Sequence, residues 1–163
     1  MKLRTVRLQR FKRIEDANFD VDALNVLVGS NNSGKSSIIQ GMHFAIALLQ
    51  NITLEKRWSY NDSLSTSINP NQLIYSPSQD AYALGLGGHL SEPETDAIKI
   101  TFTLDTGEVC SIIVRKGRNR NILVAVEHAF VAKRLSHLQI LLVSFRRDLQ
   151  EFRSMRISFL MAY

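Results

Sequence analysis

Residues 29–36 read Gly29-Ser30-Asn31-Asn32-Ser33-Gly34-Lys35-Ser36: two glycines with four residues between them, then a lysine and a hydroxyl. The spacing suits one task, holding a chain of phosphates. Glycine at 29 and 34 permits backbone angles and close approaches that a β-carbon would obstruct. The N–H groups around Ser33 to Ser36 can then converge on a concavity at the opening turn of a helix, where an anion is favoured. Lys35 supplies a point charge for β and γ phosphates. The Ser36 hydroxyl can take one position on Mg2+, whose other positions go to water and phosphate oxygens. The candidate nucleotide-binding set is therefore Gly29, Ser30, Asn31, Asn32, Ser33, Gly34, Lys35, Ser36 and Ser37, with Ser36 as metal ligand and a nucleoside triphosphate with Mg2+ as the group held. The bland alternative is a glycine-rich helix start carrying an ordinary exposed lysine.

Such a loop needs a strand before it and a helix after it. Leu24-Asn25-Val26-Leu27-Val28 is a short apolar run that predicts a buried strand ending at Gly29. From Lys35, Ile38, Met42, Ala45, Ile46 and Leu49 recur at spacings of three and four, which predicts a helix to about Asn51. Upstream, alternation over 3–9 predicts a strand continuing toward Phe11, with Leu3, Thr5, Arg7 and Gln9 sharing a face. Residues 14–21 predict a second. Residues 52–95 are rich in Asn, Ser, Pro and Gly, with room for short helices but no element that can be placed. Alternation returns at 98–104, 109–114 and 122–126, with turns at 105–108 and 115–121, as in a three-stranded antiparallel meander. Residues 128–139 are weakly helical. The fold class expected is α/β, a P-loop nucleoside triphosphate hydrolase lobe with an antiparallel β-meander, in which the first two strands and the meander form an antiparallel sheet and the strand before the loop belongs to the core sheet.

The segment LQRFKRIEDANFDVDALNVLVGSNNSGKSSIIQGMHFAI resembles the N-terminal end of the ABC-type ATPase heads of SMC, RecF, SbcC and OLD-like proteins, often described as AAA family or SbcC-type AAA ATPases. The Phe11-Lys12-Arg13-Ile14 element followed by the Asn25 to Ser37 string carries the resemblance, strongest over 3–50 and weaker over 97–127. It implies ATP sandwiched between two heads in a head-to-head dimer, DNA as partner, and a role in DNA repair, DNA processing or phage defence. It also implies a glutamine loop, for which Gln72 and Gln79 are both candidates, and a basic residue at Lys12 or Arg13 near nucleotide or DNA.

The same pattern exposes gaps. An apolar strand ending in Asp-Glu should hold Mg2+ through water and activate the attacking water. Ile140-Leu141-Leu142-Val143 is followed instead by Ser144, Phe145, Arg146 and Arg147, and the chain contains no Asp-Glu pair and no LSGG-like signature. Phosphate binding is expected; hydrolysis by this chain alone lacks its acids. A non-catalytic nucleotide-binding fragment is the alternative, and a small P-loop kinase a more distant one. No Asn-Lys-x-Asp base-reading motif of a GTPase occurs. Residues 1–139 are read as an N-terminal ATPase lobe and 140–163 as an atypical tail. Codons for SFRRDLQEF can be chosen so that a shifted frame reads FSPGLAGI, a string similar to one in this family. That implies a frameshifted end to a longer ATPase.

The remaining composition bounds the reading. The chain has 163 residues, 45% apolar and 21% charged, ordinary for a globular domain. No run of apolar residues approaches the ~18 that a membrane helix needs, so an integral membrane protein is not expected. One cysteine, Cys110, and an N-terminus without an apolar leader point to a cytoplasmic protein. Lys and Arg number 14 against 13 acids through Ala132, and six against two thereafter. The cluster Arg115-Lys116-Gly117-Arg118-Asn119-Arg120 sits at a hairpin tip, where a solvated turn is the plainer reading and phosphate contact the sharper one. His43, His89, His128 and His137 lack metal-ligand spacing, Cys110 reads as a buried strand residue, and Trp58 and Tyr60 read as local packing.

Overall fold

The computed structural model describes residues 2–22, 24–58, 61–137, 139–144 and 157–162. Two strands open the chain, β1 (Leu3–Phe11) and β2 (Ile14–Asp20), followed by β3 (Leu24–Leu27) and the helix α1 (Lys35–Leu54). Then come β4 (Ser63–Ile68), four short 3-10 turns, and the strands β5 (Ile98–Leu104), β6 (Val109–Lys116) and β7 (Ile122–Glu127). A short helix α2 (Ala129–Leu135) precedes β8 (Gln139–Ser144) and β9 (Ile157–Ala162).

The main sheet has six strands in the order β2-β1-β5-β6-β7-β4, every neighbouring pair antiparallel. The predicted meander forms as expected, since Ile98, Ile100, Phe102 and Leu104 are all buried while Lys99, Thr101 and Thr103 are only half-buried. Cross-strand pairs continue that face, with Phe102 opposite Cys110, Ile100 opposite Ile112 and Ile112 opposite Val126. Each such side chain contributes about 1.5–3 kcal/mol when taken fully from water.

Helix α1 covers this face. Ile39, Met42, Phe44, Ala45, Leu48, Leu49 and Ile52 are buried, and Phe44 stacks on Phe11 with ring centroids 6.3 Å apart. Gly41 lets the helix approach β1, because a β-carbon there would strike the Leu8 side chain. The helix runs a turn beyond the expected end, and residues 36–54 carry no charged side chain. Its length and composition alone would therefore let it cross a membrane, contrary to the sequence expectation, but most of it is buried in this core.

Three further expectations change. Leu3 does not share the polar face of Thr5, Arg7 and Gln9. A register shift against β5 between Leu3 and Thr5 inserts one residue and turns Leu3 inward with Val6 and Leu8. A strand, β4, lies within 52–95. Its inward residues, Leu64, Thr66 and Ile68, alternate with three serines too polar to register as a strand. Finally, β3 is not wholly buried: Val26 and the following Val28 are exposed, because apolar composition alone cannot say what covers a strand. It stands outside the sheet formed by β1, β2 and the meander, and pairs antiparallel with β9 in a second sheet of order β3-β9-β8. The tail expected to be patternless contributes β8 and β9 to that sheet, while 145–156, which hold most of the SFRRDLQEF segment, lie outside the described residues, as does Tyr60.

Candidate functional site

The motif 29–36 forms the loop between β3 and α1, irregular until the helix begins at Lys35. Gly34 caps the helix in the left-handed region at φ 88°, with no side chain capping it. A residue with a β-carbon is strained there. Gly29 answers a different need. A β-carbon on it would lie 2.9 Å from Ser33 Oγ, so a larger residue at 29 would push that hydroxyl out of its place beside the Lys35 ammonium. Ser33 N–H donates to Ser30 O at 3.3 Å, and Asn32 is itself left-handed at φ 72°. The loop is thus wound back over its own start.

Lys35 is the buried member of the set. Its ammonium donates to Gly29 O at 2.6 Å, Ser30 O at 2.5 Å and Ser33 Oγ at 3.1 Å, all acceptors within the loop. Ser30, Asn31, Asn32, Ser33 and Ser36 are exposed, and Ser37 is half-buried. Among the described residues, the N–H groups of Gly34, Lys35, Ser36 and Ser37 have no acceptor, and neither does the Ser36 hydroxyl have a partner. Opening-turn amides of this kind carry the positive end of the helix dipole. No acid forms an ion pair with Lys35, Lys12 or Arg13 among the described residues, so the local field is positive.

The turn between β1 and β2 brings the two neighbouring cations to different places. Arg13 Nη1 donates to Asn32 Oδ1 at 3.1 Å, placing a guanidinium against the loop. Lys12 is left-handed at φ 56° and points to α1, donating to Gln40 Oε1 at 2.6 Å and Pro77 O at 3.4 Å. Partial burial pushes its ammonium below the usual lysine range. The two glutamine candidates also separate. Gln79 lies two residues beyond Pro77, which Lys12 contacts, whereas Gln72 O accepts from Asn51 Nδ2 at 2.7 Å near the far end of α1. Sixteen helical residues, about 24 Å, separate Asn51 from Lys35.

Other candidates resolve as structural. Cys110 is buried, and burial, helped by Glu127 and Asp62, pushes its thiol up to about 12. Trp58 Nε1 donates to Thr53 Oγ1 at 2.9 Å beside the core. His43 meets Tyr75 edge-on, and His128 pairs with Asp62 at 3.0 Å. Among the described residues no three His, Cys, Asp or Glu side chains gather as a metal site. Sequence reasoning passed over Tyr82 and Asn121, whose contact shapes the cationic hairpin tip; nothing in their spacing signals it.

A family model described as AAA ATPase domain matches residues 1–108, from β1 through the loop and α1 to the turn after β5. No curated protein and no solved structure matches the chain.

Proposed function

The chain belongs to the AAA ATPase domain family, and from that premise we propose that it binds ATP with Mg2+ at residues 29–37. One observation carries the assignment of this site. The buried Lys35 ammonium is held inside its own loop by three neutral oxygens, beside four helix-opening amides without acceptors. Phosphate oxygens can replace those acceptors and offer the ammonium a charged partner, a stronger hydrogen bond than a neutral one. Mg2+ fits in one respect: Ser36 offers an exposed hydroxyl oxygen not engaged elsewhere, and the ion would neutralise charge between β and γ phosphates. Arg13 lies where it can add a cation at the loop's outer side.

The finer reading is an SMC, RecF, SbcC or OLD-like head that pairs with a second head and acts on DNA. It is supported by Phe11-Lys12-Arg13-Ile14 at the loop's flank and by the string from Asn25 to Ser37. A second reading is favoured by a specific feature, the missing Asp-Glu pair: this chain binds nucleotide without turning it over. Titration of the purified chain with ATP and Mg2+ tests the first claim. Lys35→Ala removes a set of charge-assisted bonds, so affinity should fall about 10- to 100-fold. Equal affinity of the two chains would sink the site. Phosphate release abolished by Lys35→Ala would favour the enzyme, and binding without release the module.

A further inference from the structure

We propose that the cleft under the β6–β7 hairpin tip is a second anion site, taking a compact polyphosphorylated small molecule rather than a nucleic acid. The cleft has a volume of about 960 Å³, the size of a small-molecule site, and is lined by Arg115, Lys116, Arg118 and Arg120 together with Tyr82 and Glu92. No residue of the 29–37 loop lines it.

The tip is built to hold its cations in place. Asn121 N–H donates to Arg118 O at 3.0 Å and Gly117 N–H to Asn121 O at 2.9 Å. Both central residues of this turn are left-handed, Asn119 at φ 54° and Arg120 at φ 60°. Turns of that hand favour Asn followed by Gly. Asn119 obeys, but Arg120 stands where glycine would relieve the backbone, and a strained position occupied by a long cation points to use of the side chain. The tip is also clasped from two directions. Tyr82 Oη donates to Asn121 O at 2.9 Å, and Asn121 Nδ2 donates to Ser67 Oγ at 3.1 Å. Lys116 N–H donates to Ser91 O at 2.8 Å.

The charges divide into two groups. Arg115 and Lys116 face Glu94 and Glu92 at 3.9 and 3.2 Å. Arg118 and Arg120 are exposed and, among the described residues, have no acid or hydrogen-bond partner on their guanidinium groups. Two free guanidinium groups two positions apart in the chain offer planar forks that match phosphate oxygens. Both glutamates are largely exposed, and Glu92 itself lines the cleft. A long polyanion crossing the cleft would meet the Glu92 carboxylate, whereas a short one can sit at the tip. This is the reason for choosing a compact ligand.

The probe is inorganic tripolyphosphate, titrated calorimetrically into the full-length Lys35→Ala chain so that the 29–37 loop does not compete. Saturable binding is expected, weakened at least tenfold by Arg118→Ser with Arg120→Ser and within threefold of unchanged by Arg4→Ser, which removes an exposed cation elsewhere. Arg120→Gly should weaken binding while raising the melting temperature by about 1–3 °C, because it relieves the turn; loss of binding in a stabilised chain is not unfolding. Hydrogen exchange of the unsubstituted chain gives a site-resolved reading, with tripolyphosphate slowing exchange over 115–121 as well as 29–37. Protection confined to 29–37, an equal effect of Arg4→Ser, or displacement by a single-stranded oligonucleotide at lower phosphate concentration than tripolyphosphate itself would each overturn the proposal.

Discussion

Arg13 Nη1 and Asn32 Oδ1 stand 3.1 Å apart, joining the turn that links β1 and β2 to the middle of the 29–36 loop. Nineteen residues separate them in sequence. The bond stabilises an exposed, left-handed Asn32 and at the same time sets a guanidinium beside the candidate phosphate cradle. Its neighbour Lys12 is turned to α1, so the two cations have different tasks.

Arg13→Ala should therefore lower ATP affinity by about three- to tenfold, the scale of one exposed charged hydrogen bond. It should leave the melting temperature nearly unchanged, since exposed substitutions fall within about 0.5 kcal/mol. Lys12→Ala should reverse the pattern, costing stability through its lost contacts with Gln40 and Pro77 and affecting affinity less. Paired melting curves and nucleotide titrations of the two variants check this; indistinguishable behaviour would count against the division.

Gly34→Ala forces a β-carbon residue to hold φ 88° at the mouth of α1. The cost should be about 1–2 kcal/mol by denaturant titration. Lost nucleotide binding should accompany it, because the four free amides are aligned by that residue. Retained stability and affinity together would mean that the cap is not what orders the loop.

The half-buried His43 has its Nε2 without a partner, and burial holds its imidazole below the usual 6.5. The unfolded chain then binds more protons than the folded one as pH drops from 6.5 toward the lowered value. The stability tied to neutral His43 is fully present above 6.5 and is lost through that window. Melting temperatures between pH 8 and pH 5 should decline for the unsubstituted chain and decline less for His43→Phe. Parallel curves would show that the ring titrates freely.

Cys110 has no exposed surface, and its thiol is pushed up to about 12. Thiolate is the reactive form, so a disulfide reagent at pH 8 should label the native chain only as fast as the chain opens. Labelling should reach the free-thiol rate in denaturant. Rapid labelling of the folded chain would contradict the burial.

Much of this arrangement was legible because period and burial coincide. Ile98, Ile100, Phe102 and Leu104 alternate in the sequence and all four are buried, and the eight residues from Gly29 to Ser36 announce a loop before a helix. What escaped depends on partners distant in the chain. Leu3 changes face through a bulge set by β5, and β4 is a strand because β7 lies beside it, since its serines supply little apolar drive. The partner of β3 lies more than 120 residues downstream, so its pairing with β9 could not be read locally. Lys12 and Arg13 are equivalent on paper. The left-handed backbone at Arg10 and Lys12 is what sends one to the helix and the other to the loop.

The separation of β3 from the six-stranded sheet gives the phosphate-type loop an unusual mechanical station. Its trailing shoulder is α1, wedged into the main core, and its leading shoulder is a strand stitched to the chain's far end. The loop is thus a covalent seam between two sheets. Whatever settles in it grips both, and a tug on the β8–β9 pair is relayed to the cradle through only the few residues after Leu27.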